Sequence, residues 1–218
     1  MVSRVDVSAA RRDWRDTVRD GADLALLGIL TVLAAAPVLT AGAAVGTASA
    51  AVHDWLSTGT WPTARRTLSR FGRGLLPGLP ATVLGLAVVI LLALDLLALA
   101  SGRVPGGAVA LSLTTVVAAG LLGYAAAIVV EVGRAGGAGW WSAATRAARA
   151  CLDHPATWAG LAGTGLVAAL LGVLVTPVAV PILAGYALAA MHAVARRGLR
   201  TTDSRRLDAL SGTRAEVS

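Results

Sequence analysis

Residues 24–53 read LALLGILTVLAAAPVLTAGAAVGTASAAVH, and no charged side chain interrupts them. The run begins just after Arg19, Asp20 and Asp23. Crossing a bilayer takes ~20 apolar residues as a helix, so this stretch is long enough to cross and too long for one straight span. Pro37 divides it, because proline lacks the backbone donor and clashes with the preceding turn. In hydrocarbon the freed carbonyls need protein or water partners, so the break at Pro37-Val38-Leu39-Thr40-Ala41-Gly42 belongs inside a bundle or near an interface. The stretch is therefore a kinked helix or a hairpin of two short ones. Its second arm, with Gly42, Ala43, Ala44, Gly46, Ser49 and Ala50, offers a small-residue face for close packing within the chain or against a second copy.

Three more charge-poor runs follow. One lies between Arg73 and Arg103 and contains a single acid, Asp95. Another extends from Val104 to Val130 and ends at Glu131. The longest, Pro155 to Val194, is interrupted by Pro177 and Pro181. The 218 residues as a whole are 56% hydrophobic and 14% charged, with mean hydropathy +0.72. Soluble domains run at ~45–50% apolar and ~25% charged, and disordered chains are poorer still in apolar residues. Both classes are excluded, leaving an all-α polytopic membrane bundle. The lone Cys151 rules out an intrachain disulfide.

The net charge of +7 comes from 19 basic residues, all of them arginine. No basic stripe carries the motif context of a nucleic-acid module, so no nucleic-acid partner is expected. Every arginine except Arg103 falls in the tails, in the loop bearing Arg65, Arg66, Arg70 and Arg73, or in the segment bearing Arg134, Arg146 and Arg149. Under the positive-inside rule these regions are cytoplasmic. That requires the first and last apolar runs to cross twice each. The expectation is about six transmembrane helices, four of them paired in two proline-broken hairpins, with both termini inside; five helices, one end forming a single kinked span, is the alternative. The six tryptophans flank the arginine-rich side, as interfacial anchors do. Residues 1–20 form a charged segment, 21–197 the membrane domain and 198–218 a flexible tail.

Two connectors read as amphipathic helices lying in the headgroup plane. In 62–75, Arg66, Arg70 and Arg73 share one face, and Leu68, Phe71 and Leu75 another. In 140–154, Arg146, Arg149 and Asp153 oppose Trp141, Ala144, Ala148 and Leu152, with Trp140 at the start. Anionic lipid is the expected partner of both.

Chemistry is sparse. Asp95 is the one acid inside an apolar run, and intramembrane carboxylates mark ion or substrate paths or pair with a nearby cation, here Arg103. His53, His154 and His192 lie at helix ends without a second ligand at metal spacing. The 134–139 run, RAGGAG, lacks the Lys and Ser/Thr of a phosphate cradle. No enzyme, cofactor or metal is expected. Leu27-Gly28-Ile29-Leu30 and Leu171-Gly172-Val173-Leu174 precede Pro37 and Pro181 at matching distances, the pattern of a transporter repeat, but the mirror order of the elements argues against duplication. Ala48-Ser49-Ala50 resembles a signal cleavage site in the wrong context, behind an overlong acid-rich stretch.

Taken together, the chain resembles the YesL family, small bacterial membrane proteins built on a domain of unknown function. The likeness rests on Pro37-Val38-Leu39-Thr40-Ala41-Gly42, the small-residue helix through His53, the connector around Phe71, Asp95, and His154-Pro155 opening the last region. It covers roughly 22–197. It implies a bacterial plasma-membrane location and an accessory or scaffold role beside carbohydrate uptake systems, including sugar ABC transporter components. A homodimer, and a small transporter built on Asp95 and the broken helices, stand as alternatives.

Overall fold

The computed structural model describes the backbone of residues 14–102, 107–175 and 179–215, and side chains as far as 198. Seven helices appear and no strand occurs among the described residues. They are α1 (Trp14–Ala35), α2 (Ala41–Thr58), α3 (Ala64–Ala100), α4 (Gly107–Arg134), α5 (Trp140–Asp153), α6 (Pro155–Leu174) and α7 (Val180–Ala215).

The first apolar run does break into two helices. The turn at 36–40 closes through Val38 N–H to Ala35 O (2.8 Å) and Ala41 N–H to Val38 O (3.0 Å). Val38 takes φ +60°, a region β-branched residues rarely occupy. Thr40 ties the arms together by donating its hydroxyl to Ala34 O. The last apolar run also divides, into α6 and α7. Pro155 opens α6, where a missing N–H costs nothing. Pro181 stands in the first turn of α7 and helps to begin that helix. Pro177 lies outside the described residues, as does Arg103.

The connector at 62–75 is not a separate interfacial helix. Its residues are the first turns of α3, a single helix of 37 residues, about 55 Å long at 1.5 Å per residue. Pro77 and Pro80 lie inside this helix and do not end it. The second connector is a separate helix, α5, of 14 residues. α7 in turn continues beyond residue 197, to Ala215.

The core sits on α2, which packs against α1, α3, α4 and α7. Its residues from Gly42 to Val52 are buried, apart from the half-buried Val45. Glycine makes these contacts possible. A Cβ at Gly42 would lie 2.5 Å from Gly78 O of α3, and one at Gly133 2.8 Å from Ser49 O. The small-residue face of α2 is therefore used inside the chain. α1 and α7 approach even more closely, since a Cβ on Gly185 would meet Leu24 O at 1.9 Å. The matched tetrapeptides differ in their surroundings: Gly28 is wedged against the backbone of Pro181 and Gly185, whereas a Cβ at Gly172 would meet nothing.

Among the described residues three helices, α3, α4 and α6, are long and apolar enough to cross a membrane. α1, α2 and α7 fall short for physical reasons. α1 carries Arg15, Asp16, Arg19, Asp20 and Asp23 in its first turns, α2 is built of weakly apolar small residues, and α7 reaches Arg196 and Arg197 partway along. The most apolar stretch of α3 has no buried residue. Its side chains Leu84, Val89, Leu91 and Leu97 are open, which suits a lipid-facing surface and no aqueous one.

Candidate functional site

Polar side chains gather at one end of the bundle, where α2 finishes, α3 begins, α4 finishes and α5 lies. Asp54, near the end of α2, accepts from Arg70 Nη1 at 2.7 Å, with Arg66 Nη2 at 3.8 Å. The Arg70 side chain is only 10% exposed, whereas that of Arg66 is 61% exposed. Arg70 is thus committed to the protein, and Arg66 and Arg73 remain at the surface. Arg73 Nε–H donates back to Ser69 O at 3.2 Å.

Across the bundle, Glu131 collects two arginines. Its Oε1 accepts from Arg134 Nη1 at 2.6 Å and its Oε2 from Arg146 Nε at 3.1 Å. The bond to Arg146 fastens α5 to α4. Tyr124 strengthens the junction by donating its hydroxyl to Ala144 O at 3.1 Å. The bundle-facing side of α5 is Ala143 and Ala147, both fully buried. Of the apolar face expected from the sequence, Trp141 and Leu152 are each 83% exposed but Ala144 and Ala148 are half-buried; Arg149 is also exposed.

A third cluster was not anticipated. Ser49 Oγ donates to Val129 O at 2.6 Å and lies 2.9 Å from His192 Nε2. A hydroxyl has one proton, so with that proton on Val129, His192 Nε2–H is the donor to Ser49. His53, one turn along α2 from Ser49, brings its ring to 5.9 Å from that of His192. Its Nδ1 is buried without a hydrogen-bond partner. Nearby, Arg196 Nη1 donates to Leu56 O at 2.6 Å, placing a cation at the C-terminal end of α2. Ser49 and His192 resemble a nucleophile and base in distance alone. Both are closed off from solvent, at 0% and 1% exposure, and the serine proton is already bound to a carbonyl. The arrangement joins α2, α4 and α7.

The remaining singled-out residues lie apart. Gly42 N–H, at the start of α2, donates to Thr82 Oγ1 at 2.8 Å, and Thr82 donates to Gly78 O at 3.0 Å. Pro37 is exposed in its turn. Asp95 is exposed on the apolar outer half of α3 and has no ion pair among the described residues. His154 and Pro155 are at the α5–α6 junction, where His154 O accepts from Thr157 and Trp158. The structure brings none of these onto Asp95.

The tryptophans divide as well. Trp14 and Trp141 are exposed, but Trp55 and Trp61 stack at 5.0 Å against the α1–α2–α7 core. Trp140 has a buried indole nitrogen without a partner, and Trp158 Nε1–H donates to Gly120 O at 3.0 Å. Four of these rings therefore serve packing, alone or beside anchoring. At Cys151 burial pushes the thiol above its ordinary range.

No family model, curated protein or solved structure matches this chain.

Proposed function

We propose that this chain is a multi-pass accessory or scaffold protein of YesL type in a bacterial plasma membrane, serving carbohydrate uptake. In this reading α1 and α2, and α6 and α7, each cross as hairpins beside α3 and α4. That gives six crossings, with both termini and the arginine-rich end in the cytoplasm. The observation that carries it is α5. This helix is held to the bundle by its alanine face and by Arg146–Glu131, and it turns Trp141, Leu152 and Arg149 outward. Such a surface lies in headgroups and is available to a partner.

The test is purification of the full chain from gently solubilised membranes. A sugar ABC transporter subunit should co-purify with the wild type and be lost with Trp141→Glu. Recovery of no such subunit, or equal recovery with the variant, argues against the scaffold reading.

The exposed Asp95 favours a second reading, a small ion-coupled transporter. Reconstituted protein would then carry a solute flux that Asp95→Asn abolishes. A flux indifferent to that change removes the residue on which the reading depends.

A further inference from the structure

The face of α3 that packs on α2 does not stop where α2 begins. Gly74 and Gly78 lie against Ala43, and Gly42, in the first turn of α2, donates its N–H to Thr82 Oγ1. Residues 83–100 run on past that point for about 27 Å at 1.5 Å per residue. The stripe begun by Gly74 and Gly78 continues in steps of three and four through Gly85, Val88, Leu92 and Asp95, a spacing that keeps residues on one face. Among the described residues α3 packs only on α2, α4 and α5. Its contacts with α2 and α5 belong to the arginine-rich end, so α4 alone accompanies the outer half. No residue of 83–100 is buried, and a Cβ on Gly85 would meet nothing within 4 Å. The stripe that α2 closes below Thr82 is therefore left open above it, with Val88 and Leu92 only half-buried.

Asp95 decides what belongs there. It is exposed, and it is the single charge in 83–100. Leu96 to Ala100 put about 7.5 Å of apolar helix between it and the end of α3. Lysine and arginine reach the interface from such a depth on long stems, which aspartate lacks. Carboxylates inside a membrane face protein or a water-filled interior and pair with a cation. Asp95 has no ion pair among the described residues. Hydrocarbon tails offer it no cation, and neither does a crossing helix of a second copy. The four charge-poor runs contain no arginine, and two copies meeting on this stripe would set one Asp95 against the other.

We propose that the outer half of α3 is a docking face for one membrane-crossing helix of another protein, apolar along Gly85, Val88 and Leu92 and bearing an Arg or Lys level with Asp95. Glycine at 85 lets the two backbones approach, and the ion pair sets the register. The other faces of 83–100 stay in lipid. The proposal rests on the accessory reading for the partner's existence, and adds where and by what chemistry that partner is held.

The experiment uses the full chain in phosphatidylcholine vesicles, with designed crossing peptides of leucine and alanine, ~20 residues long. One peptide carries an arginine about 7.5 Å in from each end, so either orientation brings one to the depth of Asp95. Its control carries leucine at both places. Binding is read as energy transfer to a dye on Ile90→Cys, an exposed position on the opposite face of α3, in a Cys151→Ser background. Wild type should bind the arginine peptide about tenfold more tightly than the leucine peptide, the effect of one polar contact between crossing helices. Asp95→Asn should remove that preference without lowering Tm, because the side chain is exposed. Asp95→Arg should transfer the preference to a peptide with glutamate in place of arginine. Equal binding of the two peptides to wild type overturns the proposal, as does a preference that survives Asp95→Asn. Self-association of the chain that excludes the arginine peptide likewise overturns it. Failure here with a transporter subunit still co-purifying strikes this face alone; a peptide preference without co-purification strikes only the sugar-uptake assignment.

Discussion

Gly185 and Gly163 are both helical glycines, yet they should respond oppositely to an added methyl group. At Gly185 the new Cβ would lie 1.9 Å from the Leu24 carbonyl, so α1 and α7 must move apart. Overpacking of this kind costs about 1–3 kcal/mol, and Gly185→Ala should lower Tm in detergent. At Gly163 a Cβ meets nothing within 4 Å. There alanine restricts the unfolded chain and improves helix propensity, a gain of about 0.5–1 kcal/mol. Equal melting of the two variants would contradict the close α1–α7 contact. Ser49 and His192 permit a second measurement. Ser49→Ala strands the buried His192 Nε2–H, at about 1–3 kcal/mol, whereas His192→Leu leaves Ser49 bonded to Val129 O and should cost less at that hydroxyl. The double variant should cost less than the sum of the singles, with a coupling of about 0.5–3 kcal/mol. Strict additivity would remove the hydrogen bond from the argument. This pair was illegible in the sequence because 143 positions separate its members. The one available sign was local: Ser49 and His53 are four apart, and so share a face of α2.

At the scale of elements, breaks were easier to read than continuities. Pro37 marked the end of α1 because a turn of αL geometry at Val38 follows it directly. Pro77 and Pro80 look equally disruptive on paper, yet α3 passes through both. Each proline removes one intrahelical bond, and docking of Gly78 onto Ala43 of α2 keeps the axis in place. The amphipathic pattern of 62–75 was correctly seen as helical from Ala64 on, but its apolar face leads into the exposed apolar part of the same helix. For α5 the sequence pointed to the exposed Trp141 and Leu152, set Ala144 and Ala148 with them although these are half-buried, and missed the inner stripe. Ala143 and Ala147 carry too little hydrophobicity to stand out, although their small size is what allows α5 to lie against α4. Cys151 offers a direct probe of this element. Its raised pKa lowers the thiolate fraction at any given pH, and only the thiolate reacts. Maleimide labelling at pH 7 should therefore be slower than for an exposed cysteine peptide, and should rise with pH. Labelling as fast as the peptide at pH 7 would show that α5 is not seated.

For the molecule as a whole, composition and charge-poor runs were enough to read an all-helical membrane protein. The number of crossings was not, because hydropathy measures what faces lipid. α3, α4 and α6 face outward and register strongly; α2 faces protein on nearly every side and does not need strongly apolar residues. The arginine distribution decides orientation only if α2 crosses. A cysteine introduced as Ser101→Cys in a Cys151→Ser background checks this. A membrane-impermeant maleimide should label it from outside intact cells, and labelling only after the cytoplasmic side is opened would reverse the arrangement.

The composition of α2 has a consequence for biogenesis. Helices of ordinary membrane proteins can enter the bilayer singly and find their neighbours afterwards. A segment made of Ala, Gly, Ser and Thr, with Thr47, Ser49 and His53 along its length, partitions too weakly for that route. In the six-crossing arrangement it has to be carried in, paired with α1 through the 36–40 turn, and held until α4 and α7 have been synthesised. During that interval Ser49 has neither Val129 nor His192 to bond. In that arrangement the polar groups of α2 stay unmatched until α4 and α7 have been made.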